Sequence, residues 1–329
     1  MEYKPSKIKS KFNANLRDYQ QKIWDILKKG FEKEGGGILS IPPGRGKTII
    51  ALYVACALGL KTLVIVHKTF LLDQWVERIN QFTNMKTGRI IQNKIDTFGK
   101  DIVIGMLQSI SMKDYDGDIF SDFGLVIIDE CHHIGSEVFS RALPKISSKY
   151  MLGLSATPDR KDGLTKVFTW HLGPILYRES GHVNTQLEVR YYAYDSQDKK
   201  YKDKYMNMFD RRKREYMKKP NIAGTVNNIV EVKARNKTIV KIVNQIFTEE
   251  DGRKIIILSD RLGHLDTLKE MIEKEKITLT RENGKKEEVT QGFYVGGMKK
   301  KALVESESKD VILGTYGMSS EGLDIPALN

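Results

Sequence analysis

Two short stretches carry residue types that could handle a phosphate and a metal. "SIPPGRGKT", residues 40–48, places Pro43, Gly44, Arg45, Gly46, Lys47 and Thr48 between apolar runs. Glycines let backbone N–H groups turn inward around an anion, and a helix opening at Lys47 to Thr48 would aim its N-terminus at the same point. Lys47 has the reach to contact β- and γ-phosphates, and the Thr48 hydroxyl can ligate Mg²⁺. Ile41 stands where the general phosphate-loop pattern has its first glycine, so the match is to the GxGKT half. A turn with a chance lysine is the competing explanation.

The second stretch weighs against that alternative. The apolar run "LVII" ends in Asp129 and Glu130, about eighty residues after the lysine, the arrangement that holds Mg²⁺ beside a phosphate loop in nucleoside triphosphatases. Asp129 would take the metal, and Glu130 would orient and deprotonate an attacking water. His132 and His133 follow, but adjacent histidines point apart. Cys56 and Cys131 are the only thiols in the sequence, so neither a zinc cluster nor a disulfide framework is expected.

These residues need rigid elements to hold them. From residue 38 to 154, short apolar runs alternate with amphipathic ones, as in a parallel sheet covered by helices. Strands are expected at 37–41, 62–66, 101–105, 125–129 and 150–155, and helices at 48–58 and 69–82. A second α/β alternation starts near residue 237, with a surface hairpin inserted at 276–292. The expected organisation is a basic N-terminal extension (1–15), a first domain with the nucleotide site (16–180), a basic linker or insert (181–236) and a second domain (237–329). Residues 199–219 hold ten Lys and Arg against Asp203, Asp210 and Glu215. Tyr201, Tyr205, Met208 and Phe209 fall on one helical face, so the expectation is a helix with a cationic outer face that follows a phosphate backbone.

The 329-residue chain has a formal net charge of +12, which favours a polyanionic partner. No apolar run approaches the ~20 residues of a membrane span, and the basic start lacks the apolar core of a secretory signal. An intracellular protein of nucleus or cytoplasm (or of a virion, if viral) with no membrane partner is expected.

"GRGKT", "DECHH" and "LSATP" (154–158), in that order and spacing, resemble the superfamily 2 helicases and translocases. "LRDYQ" (16–20), "VHKTFLLDQW" (66–75), "IGMLQSI" (104–110), "ILSDR" (257–261) and "GTYGMSSEGLDIP" (314–326) extend the resemblance from about residue 16 to the last. The DExH form, with "QW" in the second of these and "SATPDRKDG", is most similar to the XPB-like branch, which includes transcript-release helicases of poxviruses and other large DNA viruses.

The resemblance implies two tandem RecA-like α/β domains closing on Mg·ATP and moving along nucleic acid, DNA favoured and RNA or an RNA–DNA hybrid the alternative. Gln20 and Arg17 would contact adenine; Pro43 to Thr48 would bind phosphates and metal. His132, Ser155 and Thr157 would relay the state of the γ-phosphate, and Gly322 and Asp324 would approach the nucleotide from the second domain. Lys68, Gln108, Ser109, Arg261 and Thr315 would contact the strand.

The family carries a further motif with arginines that reach the γ-phosphate, whereas this sequence stops three residues after Pro326. The expectation is therefore a piece of a longer protein, with the second domain incomplete and hydrolysis weak, since an absent arginine finger costs about 10³ to 10⁵ in turnover. Two other classes are weighed: a nucleic-acid clamp without efficient turnover, and a small-molecule kinase, which would need a substrate pocket where the basic segment lies.

Overall fold

The strand candidates of the first half hydrogen-bond into one sheet. The computed structural model describes residues 4–132, 141–146, 148–156, 165–179, 189–193, 203–210, 215–249, 252–281 and 284–319, in two units, Met1–Gln186 and Leu187–Asn329. The first unit runs α1 (Asp18–Glu34), β1 (Gly36–Ser40), α2 (Lys47–Leu58), β2 (Thr62–Val66), α3 (Thr69–Phe82), β3 (Thr87–Ile91), β4 (Lys94–Asp96), β5 (Ile102–Met106), α4 (Leu107–Met112), β6 (Leu125–Ile128), β7 (Tyr150–Ser155), α5 (Thr165–Leu172) and β8 (Ile175–Arg178). Its strands order as β4-β3-β5-β2-β6-β7-β1-β8, all neighbours parallel except β3 and β4.

The reason these strands read as unbroken apolar runs is burial on both faces. Along β2, Val64 and Val66 face one core with Ile23 of α1, Ile50 of α2 and Trp75 of α3. Leu63 and Ile65 face the other, with Leu107 and Ile110 of α4 and Leu172 of α5. Each fully buried Leu, Ile or Val contributes about 1.5–3 kcal/mol, so two apolar faces hold the sheet and its C-terminal edge is free to carry polar loops. Strand β7 lies between β6 and β1. The loop after β1 and the acids after β6 thus flank the end of β7, where Ser155 stands. The basic start lies along this unit through bridges Lys7↔Leu60 and Phe12↔Thr83.

The second unit contains β9 (Tyr205–Asp210), β10 (Glu215–Pro220), α6 (Ile222–Val230), α7 (Lys233–Glu249), β11 (Ile255–Leu258), α8 (Leu262–Glu275), β12 (Thr278–Thr280), β13 (Lys286–Glu288), β14 (Gln291–Tyr294), α9 (Lys300–Glu307) and β15 (Val311–Gly314). A parallel sheet β11-β15-β14 packs Val311 and Leu313 against Val240, Val243 and Phe247 of α7 and Leu265, Leu268 and Ile272 of α8. Strands β12 and β13 pair antiparallel, the hairpin expected within 276–292.

The basic segment departs from its expectation. Where the spacing suggested a helix over 199–219, the structure has β9 and β10 as an antiparallel pair, with Met217 opposite Met208 and Tyr216 opposite Phe209 in register; Tyr201 lies outside the described residues. A helix would stack like charges three and four residues apart. The pair instead sets Lys218 and Lys219 opposite Asn207 and Met206, and its aromatic residues suit a pleated backbone.

A buried chain of hydrogen bonds ties α7 to α8. Asn236 Nδ2 donates to the Val230 carbonyl (2.9 Å), which turns its Oδ1 toward His264 Nε2 (3.1 Å). His264 Nδ1 then accepts from the Ser259 hydroxyl (3.0 Å), so the ring is held neutral. Burial, with Arg235 adding repulsion, pushes its pKa from 6.5 down to about 4. The unfolded chain takes up a proton below pH 6.5 that the folded unit resists, so stability is full above that pH and falls as pH drops toward about 4. Denaturant unfolding at pH 7 and pH 4.5 should show a smaller acid loss in His264→Gln than in the parent.

Candidate active site

Strand β1 hands over to α2 through Ile41 to Gly46. Gly44 (φ 74°) and Gly46 (φ 76°) are both left-handed and bracket Arg45, a geometry that turns successive N–H groups toward one concavity. A Cβ on Gly44 would meet nothing within 4 Å, so the loop faces open space there, whereas one on Gly46 would lie 2.7 Å from Gln20 Nε2. Gly46 is also the N-cap of α2 and supplies no side-chain cap, leaving first-turn N–H groups for an anion. Lys47 Nζ lies 3.4 Å from the Ile41 carbonyl and 3.9 Å from Glu130 Oε1. The half-buried Thr48 follows in the first turn.

The acids meet this loop from β6. Asp129 is buried; its Oδ2 accepts the Trp75 indole N–H at 2.8 Å and its Oδ1 the Glu130 backbone N–H at 3.1 Å. Burial pushes the Asp129 carboxyl above the usual carboxylate range, with the Trp75 hydrogen bond and the Lys47 charge opposing. A carboxylate so placed gains from a cation, which is the donor chemistry a magnesium site needs. Glu130 is left-handed without being glycine (φ 48°), a backbone cost of about 1–2 kcal/mol of the kind that gathers at functional sites. Beyond Lys47, Glu130 contacts His132 Nδ1 through Oε2 (3.3 Å), and the same nitrogen lies 3.1 Å from Ser155 Oγ. Lys47 at the start of α2, Glu130 and His132 after β6, and Ser155 at the end of β7 are therefore consecutive neighbours. Cys131, between them in sequence, is buried and its thiol is pushed up by burial, which makes it an inert core residue.

Gln20 is buried against Gly46, and its Oε1 accepts the Arg17 backbone N–H (3.0 Å). Two neighbours escaped the sequence reading. Glu179, brought to the end of β1 by its N–H on the Ser40 carbonyl (2.9 Å), pairs with Arg45 through Nη2–Oε1 at 2.6 Å and Nε–Oε2 at 3.2 Å. The Arg45 guanidinium also lies 4.3 Å over the Tyr19 ring, and Tyr19 Oη donates to the Arg45 carbonyl (3.1 Å). Tyr19 lies inside "LRDYQ"; nothing local in the sequence marks Glu179.

Of the strand-contact candidates, Lys68 caps α3 at the end of the β2 loop. Gln108 reaches across from the first turn of α4, its Nε2 donating to the His67 carbonyl (2.9 Å), so the two share one edge. Ser109 is turned inward: it is buried and its hydroxyl accepts the Gln92 N–H (2.8 Å). In the second unit, Arg261 precedes α8, with Nε on Asn227 Oδ1 at 2.5 Å. Thr315 follows β15 and accepts the Ser319 N–H (3.0 Å). Arg261 and Thr315 stand at the same C-terminal sheet edge, where Ser259 N donates to the Gly314 carbonyl (3.0 Å). Thr157, Gly322 and Asp324 lie outside the described residues. Among the described residues no group of three or more His, Cys, Asp or Glu is gathered for a metal.

The eight-stranded sheet, its strand order and the glycine loop between β1 and α2 define a RecA-like P-loop α/β domain. Residues 13–160 match the family model described as ResIII, Type III restriction enzyme, res subunit. Residues 13–160 thus carry the match to a ResIII helicase domain, and the chain is similar in sequence to proteins named as helicases and translocases. It is 41% identical over 319 residues to a protein of Acanthamoeba polyphaga mimivirus with the provisional name ATP-dependent RNA helicase L396, covering 97% of this chain and 58% of that protein. It is 34% identical over 214 residues to the DNA 3'-5' translocase XPB2 of Sulfurisphaera tokodaii, covering 63% of this chain and 44% of that protein. The chain thus spans about half the length of these relatives. Among solved structures, the ATP-dependent Type ISP restriction-modification enzyme LlaBIII bound to DNA has a TM-score of 0.58 at 16% identity, covering 97% of this chain and 25% of that one. That likeness is one of fold.

Proposed function

We propose that this chain is the ATPase core of a nucleic-acid helicase or translocase. The observation that carries the reading is the run of neighbours from Lys47 through Glu130 and His132 to Ser155, set beside a left-handed glycine loop at the C-terminal edge of a parallel sheet. Backbone N–H groups of residues 44–48 and Lys47 would hold the β- and γ-phosphates, Thr48 and Asp129 would hold Mg²⁺, and Gln20 with Arg17 would read adenine. Bound there, Mg²⁺ would neutralise charge developing on the phosphates. Glu130 would accept the proton of the attacking water. His132 touches both Glu130 and Ser155, so it would link the catalytic carboxylate to the "SAT" strand end.

The partner is nucleic acid, with DNA favoured through the XPB-like relation and RNA the alternative offered by the mimivirus relative's name. Lys68 and Gln108 form one contact edge, Arg261 and Thr315 another. The β9–β10 pair is a third candidate: Lys204, Lys218 and Lys219 are exposed, as are Tyr205 at 59% and Tyr216 at 75%, a mixture suited to backbone charge and base stacking. No helix among the described residues is long and apolar enough to cross a membrane.

Titration with short single-stranded DNA, duplex DNA and RNA at rising salt tests the reading. Affinity should fall linearly on a log–log plot, and the triple variant Lys204→Glu, Lys218→Glu, Lys219→Glu should flatten the slope by about one for each lysine–phosphate interaction it abolishes. A small-molecule kinase would show no salt-sensitive binding to any of the three.

A further inference from the structure

We propose that Trp75 is a positioning residue for the nucleotide-bound magnesium, acting through Asp129; the inference rests on the nucleotide-site reading above. Trp75 lies in the middle of α3, 2% exposed, packed in the core that also holds α1 and α2. Its only polar atom, the indole nitrogen, donates to Asp129 Oδ2 at 2.8 Å. The other carboxylate oxygen takes the Glu130 N–H at 3.1 Å. Each oxygen has two lone pairs and, among the described residues, one donor, so the two bonds fix the carboxylate plane and leave acceptor capacity on both oxygens. Without the indole bond the buried Asp129 carboxylate would have more freedom to turn about its terminal torsion. The rigid indole removes that freedom at the point where a metal would need the oxygens to stay put.

The same helix has a second end of interest. Its N-cap is Lys68, next to His67, whose carbonyl takes the Gln108 amide. One rigid element therefore runs from the candidate strand-contact edge to the carboxylate, and Trp75 is where it touches.

The competing explanation is packing: a buried indole needs some acceptor, and Asp129 would serve as that and no more. The two differ in what magnesium does. Equilibrium binding of a fluorescent, non-hydrolysable ATP analogue, with Mg²⁺ and with EDTA, gives the gain in affinity due to the metal. Trp75→Phe removes the N–H and keeps an aromatic ring; benzothienylalanine at position 75 keeps the full bicyclic shape and lacks only the N–H, which covers the case in which the smaller ring fails to fold. Both should lower the metal-dependent gain about 10-fold or more, with little change in EDTA. Ile79→Val, one turn along α3 in the same core, should lower the melting temperature and leave the gain intact.

If the parent binds the analogue and the benzothienyl variant keeps the full gain, the positioning role is wrong and the nucleotide site stands. If the parent binds no analogue in either condition, the nucleotide-site reading itself has failed.

Discussion

Lys47→Ala should leave the chain folded and lower its ATP hydrolysis about 10²–10³-fold, the cost of removing one preorganised charge from a transition state. Among the described residues the side chain makes two modest contacts, at 3.4 Å to the Ile41 carbonyl and 3.9 Å to Glu130, and the sheet beneath it is held by apolar burial that alanine does not touch. Melting temperature should therefore move little while turnover collapses. Rates and melting curves of parent and variant, taken in one buffer, separate the effects: equal loss in both would mean that Lys47 is structural. A clamp that works without turnover would keep its nucleic-acid binding unchanged in this variant and have no hydrolysis to lose.

Glu130→Gln should cut turnover about 10²–10⁴-fold, the range for removing a general base, while nucleotide affinity stays within a few-fold. Glutamine keeps the size of the side chain and adopts the left-handed backbone of residue 130 (φ 48°) no less readily than glutamate. What disappears is proton acceptance and the charge opposite Lys47 and His132. Single-turnover hydrolysis beside equilibrium analogue binding checks the split. A variant that binds poorly and turns over normally when saturated would assign Glu130 to binding, and the mechanism above would need another base.

Much of this was legible before any coordinates. Strand Thr62–Val66 and helix Thr69–Phe82 lie where periodicity puts them, because the strand is an unbroken apolar run buried on both faces and the helix repeats its apolar residues along one buried face. Strands β3, β4 and β8 were not foreseen: β3 alternates half-buried and buried residues, β4 has three residues, and β8 is half-buried for most of its length. Segment 205–220 misled because Tyr205, Met208 and Phe209 satisfy a helical period over a few residues, and only the pairing partner settles it as a strand. The site shows the same division. Glycines, lysine and acids stand in compact local strings, whereas Trp75 and Glu179 reach Asp129 and Arg45 from 54 and 134 residues away in sequence, a relation created by the sheet order and invisible to any local window.

The central claim is that the loop at residues 44–48 and the acids at 129–130 form one pocket for magnesium and a nucleoside triphosphate. A crystal structure of this chain with Mg²⁺ and a non-hydrolysable ATP analogue tests it most directly. The account predicts the β- and γ-phosphates on the backbone N–H groups of residues 44–48 with Lys47 beside them, and the metal between Thr48 and Asp129. An analogue seated elsewhere, with Lys47 on no phosphate and Asp129 on no metal or metal-bound water, would contradict it.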